Sequence, residues 1–153
     1  AYNLAIVDVF FHPIGNDMEI EINGEEGTIH RAGRYLMTLA ANGRFYGGGY
    51  MGAPNAVEDD GILDFTLVKS VPKLKIPTIL GRYKKGQHED LDCVEHLRGY
   101  SMRVKSTKPA VCTVDGECFE TDAIEFKIIP AAYRFVLPAS IYELRVRKET
   151  SIV

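Results

Sequence analysis

Three features of the sequence predict a mainly β fold, an antiparallel β-sandwich or distorted barrel carrying one helix. Short runs rich in β-branched and aromatic residues recur between Gly, Asn, Asp and Pro along most of the chain. Met18-Glu19-Ile20-Glu21-Ile22 alternates apolar and polar residues and meets Asn23-Gly24, the strongest local signal for a type I′ hairpin. Helical signals are confined to residues 70–86. The 153 residues suffice for one domain with a core and are few for two, so residues 1–153 are read as a single domain.

Taken in order, the chain opens without Met on a strand-like run over residues 4–11, as though cut from a longer polypeptide. The hairpin at Asn23-Gly24 comes next. Residues 35–41 make an apolar strand running into Asn42-Gly43, and residues 62–68 another, launched from Asp60-Gly61. In residues 70–86, Pro77 starts a helix whose apolar face takes Leu80 and Tyr83, with Ile76 and Ile79 nearby. Lys84 and Lys85 complement its C-terminal dipole, and Gly86 suits the left-handed position that ends it. Further strands are expected at 100–105, 110–114, 117–120, 123–129 and 133–137, with a last one at 141–147.

Composition narrows the function classes. Lys and Arg number 18 against 21 Asp and Glu, a net charge of −3 with a pI near 5.8, so no basic excess points to nucleic acid. No apolar stretch approaches the roughly 20 residues of a membrane span, and no basic region precedes an apolar start as in a signal peptide. Three cysteines, Cys93, Cys112 and Cys118, without metal-ligand spacing, fit a reducing, cytoplasmic setting. His12, His30, His88 and His96 are too dispersed for a zinc motif and read as ordinary hydrogen-bonded or exposed histidines.

Three stretches invite chemistry. Gly47, Gly49 and Gly52 spell G-x-G-x-x-G, but Ala53-Pro54-Asn55-Ala56 and an acidic turn follow in place of a helix, so a dinucleotide loop is rejected. Asp115-Gly116 joins two β-rich arms, and a two-residue turn there holds Asp115 and Glu117 close at a sheet rim, where a carboxylate can take a proton or hold a metal. Solvated turn acids are the plainer alternative. Residues 57–64 gather four carboxylates around Gly61, oxygen chemistry suited to a hard cation. With Gly61 in the sixth position of an EF-hand loop, the first and twelfth positions are Ala56 and Leu67, which lack the required side-chain oxygens, so a solvated turn is again the alternative.

In order, NGRFYGGGYMGAPNAVEDDGILDFTLV, a helix ending KKGQH, TVDGE and IEFKIIPAAYRFVLP resemble the C-terminal half of the diacylglycerol kinase catalytic family, over roughly residues 17–138. That family includes bacterial lipid kinases and sphingosine kinases and is related in fold to NAD kinases. Its members pair an N-terminal α/β domain, bearing a Gly-Gly-Asp-Gly nucleotide loop, with a C-terminal β-sandwich that completes the cleft. The nucleotide loop does not occur in this chain, so the resemblance implies the β-sandwich domain without its ATP-binding partner, inactive alone.

Residue by residue, the resemblance makes Glu117 the general base for a lipid hydroxyl attacking the ATP γ-phosphoryl group, with Asp115 assisting it or organising Mg²⁺ and nucleotide. Asp60 falls on the aspartate of a separate Mg²⁺ site completed by the carbonyls of Val57 and Ile62, with Asp59 as the alternative ligand. Asn42, Gly47, Gly48 and Gly49 line the cleft, the glycines allowing close backbone approach to it or to packed neighbours. The implied partners are ATP, Mg²⁺, a lipid substrate and a transient membrane surface, with a homodimer admitted and no nucleic acid. The competing reading is a non-catalytic β-sandwich module that binds a lipid or a protein.

Overall fold

The structure is a computed structural model and describes residues 14–134 and 136. Six strands form one antiparallel sheet: β1 Asn16–Gly24, β2 Gly27–Ala41, β3 Leu63–Lys69, β4 Val94–Gly99, β5 Ser101–Val114 and β6 Glu117–Lys127. Their order across the sheet is β4-β3-β2-β1-β5-β6. A 3₁₀ turn, Lys73–Lys75, leads into the helix α1, Ile76–Lys84. The described residues thus adopt the mainly β, antiparallel class with one α-helix, their sheet left open. The expected strands at 4–11 and 141–147, and His12, lie outside the described residues. In the run 133–137 the described members are not in a strand.

The period-two pattern of β1 sorts its side chains as expected. Ile20 and Ile22 are buried and join Tyr35, Leu63, Phe65, Leu67, Met102 and Val104 in one core. β3, flanked by β2 and β4, is buried along both faces from Leu63 to Val68. Leu63, Phe65 and Leu67 enter that core, while the alternate residue Thr66 meets the other side, its Oγ1 donating to the Gly52 carbonyl at 2.9 Å. Ile79 and Tyr83 are the buried residues of α1. Pro77 stands in the first turn, where a missing N–H costs nothing, and Gly86 (φ +68°) follows the helix in the left-handed region. Leu80, expected on the inward face, is 48% exposed, because the contact surface is narrow and falls on Ile79 and Tyr83.

The first hairpin turns later than its sequence suggests. Gly24 pairs with Gly27, so Glu25 and Glu26 form the loop and Gly27 takes the positive φ. Asn23-Gly24 is committed to a crossing with β4 and β5. The Asn23 carbonyl accepts the Tyr100 N–H at 2.7 Å, and the Asn23 amide donates to Ser101 Oγ. A Cβ on Gly99 would stand 2.5 Å from the Asn23 carbonyl oxygen, and one on Gly24 3.0 Å from the Arg98 carbonyl oxygen, so both glycines serve a backbone-on-backbone approach. The polar stretch before Tyr35 extends β2 back to Gly27 by pairing with β1. The segments expected at 100–105 and 110–114 join as β5 across a register shift between Lys105 and Ala110, where Pro109 is tolerated.

Candidate active site

The β5–β6 hairpin carries the first acidic pair. Val114 pairs with Glu117, leaving Asp115 (φ +47°) and Gly116 (φ +95°) as the two loop residues. Both central residues have positive φ, as a type I′ turn requires, and Asp is among the few residues that tolerate it. Asp115 and Glu117 are both exposed, on a hairpin whose Val111, Val114 and Phe119 are exposed too. Cys112 pairs with Phe119 and Cys118 with Thr113, so the two thiols lie on opposite faces of the ribbon. Partial burial raises the Cys112 thiol, with Cys118 adding a smaller push, so it is held away from the reactive thiolate.

The second acidic segment joins β2 to β3. Asp60 Oδ1 accepts the Ile62 N–H at 2.9 Å, closing a turn over Gly61 (φ +73°). Its Oδ2 pairs with Arg98 Nη2, and Arg98 Nε lies 3.4 Å from Asp64 Oδ1. Burial raises the Asp64 carboxyl, with Arg98 pulling the other way. Asn42 Nδ2 donates to the Glu58 carbonyl at 3.1 Å, and Arg44 Nε to the Ala56 carbonyl at 3.1 Å, so the end of β2 pins this loop through its backbone. Asn42 is thereby brought together with the Val57–Asp60–Ile62 segment.

Among the described residues, no three His, Cys, Asp or Glu side chains converge as a metal cluster. The Asp60 carboxylate with the carbonyls of Val57 and Ile62 is a different, all-oxygen set, and its donor chemistry fits a hard cation such as Mg²⁺. Arg98 already holds one carboxylate oxygen, so an ion there shares or displaces the guanidinium. Spacing could not disclose Arg98, which stands 38 residues along the chain on a strand the sequence did not announce.

Gly47, Gly48 and Gly49 have φ of +29°, +71° and +85° in a loop closed by the Tyr46–Tyr50 bridge. A Cβ on any of them meets nothing within 4 Å. Packed neighbours within the described chain therefore do not explain them; the left-handed backbone does. Within the G-x-G-x-x-G stretch the crowded glycine is Gly52, whose Cβ would fall 2.6 Å from Tyr46 Cε1 and from Tyr83 Oη. The loop abuts the end of α1, where the Met51 N–H reaches the Lys84 carbonyl.

Sequence reading missed a buried polar cluster between α1 and the sheet. His88 is fully buried, its ring centroid 4.4 Å from that of Tyr83 and 5.2 Å from that of His96, with Nε2 3.3 Å from the Gly52 carbonyl oxygen. His96 Nδ1 lies 3.2 Å from Thr66 Oγ1. Burial lowers both imidazoles and keeps them neutral, and His96 lowers His88 further. The two histidines are only 8 residues apart in sequence, yet a loop and a strand separate them, so helical or strand periodicity does not pair them.

The acidic hairpin and the acidic loop occupy different parts of the sheet. The hairpin is built on β5 and its edge neighbour β6, while the loop enters β3, on the far side of β1 and β2 in the strand order.

Comparison with known proteins gives one family and a consistent set of relatives. The sequence model of the YegS C-terminal NAD kinase beta sandwich-like domain matches residues 1–137. A protein named "Probable lipid kinase YegS-like" from Shewanella frigidimarina is 33% identical over 117 residues, covering 76% of this chain and 37% of the relative. A diacylglycerol kinase of Mycobacterium tuberculosis is 34% identical over 104 residues, 67% of this chain and 33% of its own. The chain therefore spans well under half the length of these curated relatives. Among solved structures, a diacylglycerol kinase from Bacillus anthracis superposes with a TM-score of 0.52 at 18% identity, covering 84% of this chain and 48% of that one. A second chain from the same organism reaches 0.61 at 22% identity, covering 84% and 41%. At such identities the likeness speaks for the fold.

Proposed function

The chain belongs to the YegS C-terminal domain family, whose relatives are lipid and diacylglycerol kinases, and from that premise we propose that it is the C-terminal domain of an ATP-dependent lipid kinase. The observation that carries the reading is the exposed type I′ hairpin with Asp115 in its turn and Glu117 beside it, in a chain matched by that family along most of its length. Glu117 accepts the proton of a lipid hydroxyl as that oxygen bonds to the γ-phosphorus and the bond from phosphorus to the departing ADP oxygen breaks. Phosphoryl transfer asks the protein for positioning and charge neutralisation, and a carboxylate held at the reacting hydroxyl supplies a proton acceptor. Asp115 holds Glu117 in place or orients the nucleotide.

In this reading ATP is bound mainly by a preceding α/β domain that faces the hairpin and covers Val111, Val114 and Phe119. Asp60, with the carbonyls of Val57 and Ile62, would hold a Mg²⁺ ion, which supplies charge neutralisation and ties the loop. Asn42 and Gly47–Gly49 then face the cleft. No described helix is long and apolar enough to cross a membrane, and the enzyme meets its lipid from the cytoplasmic side as a peripheral protein.

The test compares the full-length protein with this chain alone. Full-length protein is expected to transfer radiolabelled γ-phosphate from Mg-ATP to diacylglycerol or another hydroxyl-bearing lipid in mixed micelles. The isolated chain is expected to be inactive and to show no micromolar affinity for Mg-ATP by calorimetry. Full-length protein that binds lipid without phosphorylating any would leave the non-catalytic module in its place.

A further inference from the structure

Between Asp64 and Glu89 the sequence contains no acid and six cations, Lys69, Lys73, Lys75, Arg82, Lys84 and Lys85. The 153-residue chain is net negative, so this segment opposes the rest of it. It also turns apolar side chains outward. Leu74 is 85% exposed and Leu80 48%, although Ile79 and Tyr83 already supply the inward face of α1.

Leu74, Pro77, Leu80 and Lys84 follow one another at spacings of three, three and four, which lays side chains along one side of a helical segment. All four are exposed. The helix is thus apolar on two faces, one spent on the sheet and one left exposed among the described residues. Lys73 and Lys75 flank Leu74 at one end of this ridge, and Lys84 and Lys85 stand at the other. Arg82 is turned to a different use, paired with Asp90 and donating to the Gln87 carbonyl. The Lys84 ammonium lies over the Tyr50 ring, 5.5 Å from its centroid.

From this juxtaposition we infer that the Leu74–Pro77–Leu80 ridge with its lysines is the face by which the protein docks on an anionic lipid bilayer. Charge complementarity selects that occupant. A bilayer with acidic headgroups attracts lysines within a Debye length, and Leu side chains projecting between them reach the acyl boundary. Such contacts are individually weak, so the docking is reversible and salt-sensitive. The inference rests on the lipid-kinase reading for its purpose, but binding is measured without ATP. Failure of docking with catalysis intact removes this inference alone, and docking without catalysis removes the kinase reading alone.

The chain contains no Trp, so Leu74→Trp places a single indole reporter on the ridge at an exposed position where the fold has nothing to lose. With phosphatidylcholine vesicles containing phosphatidylglycerol, its emission is expected to shift to the blue and to return on raising the salt. Pure phosphatidylcholine should give little shift. By co-sedimentation of the natural sequence, Lys75→Gln/Lys85→Gln should weaken binding by about fivefold per lysine. Leu74→Ser/Leu80→Ser should weaken it about tenfold or more, in protein that circular dichroism shows still folded at the assay temperature. Equal binding to both vesicle types, an indole that does not shift, or binding indifferent to the serine variant overturns the assignment. Self-association by sedimentation equilibrium that the serine variant abolishes, without vesicle binding, would give the ridge to a second copy of the chain.

Discussion

The two halves of β5 share one partner strand and differ in everything their side chains meet. From Ser101 to Val104 the strand contributes Ser101, Met102 and Val104 to the buried interior, with Arg103 outward. Beyond the register shift between Lys105 and Ala110 the same two strands continue to Val114 and Glu117, and none of the side chains from Ala110 to Glu120 is buried. Backbone pairing therefore sets the shape of both halves, while burial, the larger source of stability, is confined to the inner one. The outer hairpin is a projection whose apolar residues lie outside the core formed by the described residues. It is also the part that carries Asp115 and Glu117, and in the proposed kinase the α/β domain is what covers it.

The widest gap between the two regions should appear on truncating aromatic residues. Phe65 is fully buried, and Phe65→Ala should cost about 3–5 kcal/mol by urea unfolding. Phe119 is 44% exposed, and Phe119→Ala should stay within about 0.5 kcal/mol. A comparable loss at both sites would break the division between scaffold and projection.

Glycines sharpen the contrast next. Gly52→Ala meets crowding at Tyr46, Tyr83 and Leu39 and should cost about 1–3 kcal/mol. Gly116→Ala has open space but a φ of +95°, and should cost about 1–2 kcal/mol through the backbone alone. The remedies differ. Asn tolerates the left-handed region, so Gly116→Asn should regain most of the loss, whereas Gly52→Asn should be worse than Gly52→Ala.

The buried histidines confine a pH response to the scaffold side. Both have lowered folded-state pKa values, so below the unfolded value of about 6.5 the unfolded chain binds more protons than the folded one. Stability is complete above that pH and declines as pH falls from it through the lowered folded values. The urea midpoint should drop over that interval, and less so in His96→Asn. An unchanged midpoint from pH 8 down to 5 would mean that the imidazoles are not held neutral.

The smallest effect concerns the acidic loop. Millimolar Mg²⁺ should raise the melting temperature of the natural chain and leave Asp60→Ala unmoved. The shift is about 2–4 °C for each kcal/mol of binding linkage. Equal response in both would remove Asp60 as a ligand.

What the sequence disclosed follows the same division. The Asp115-Gly116 turn was legible because two residues and their φ angles decide it, and the helix limits were legible because Pro77 and Gly86 act locally. The first hairpin turn was not, since Asn23-Gly24 is drawn into a crossing with Arg98-Gly99, some 75 residues away. β4 was hidden by its charged residues, whose partners come from elsewhere: Arg31 reaches Glu95 at 2.7 Å, Thr66 meets His96 and Asp60 meets Arg98. The acids of the candidate site could be named from their turns, whereas the cation paired with Asp60 could be found only from the fold.

The central claim is that the exposed hairpin acid does chemistry, and Glu117→Gln in the full-length enzyme tests it most directly. The side chain is exposed, so the variant should fold with an unchanged melting temperature. With saturating Mg-ATP and lipid, kcat should fall about 10²–10⁴-fold, the usual contribution of a general base, with lipid and ATP affinities little altered. A folded Glu117→Gln enzyme that keeps more than about a tenth of the natural kcat would contradict the account, because a base worth so little lies below that range.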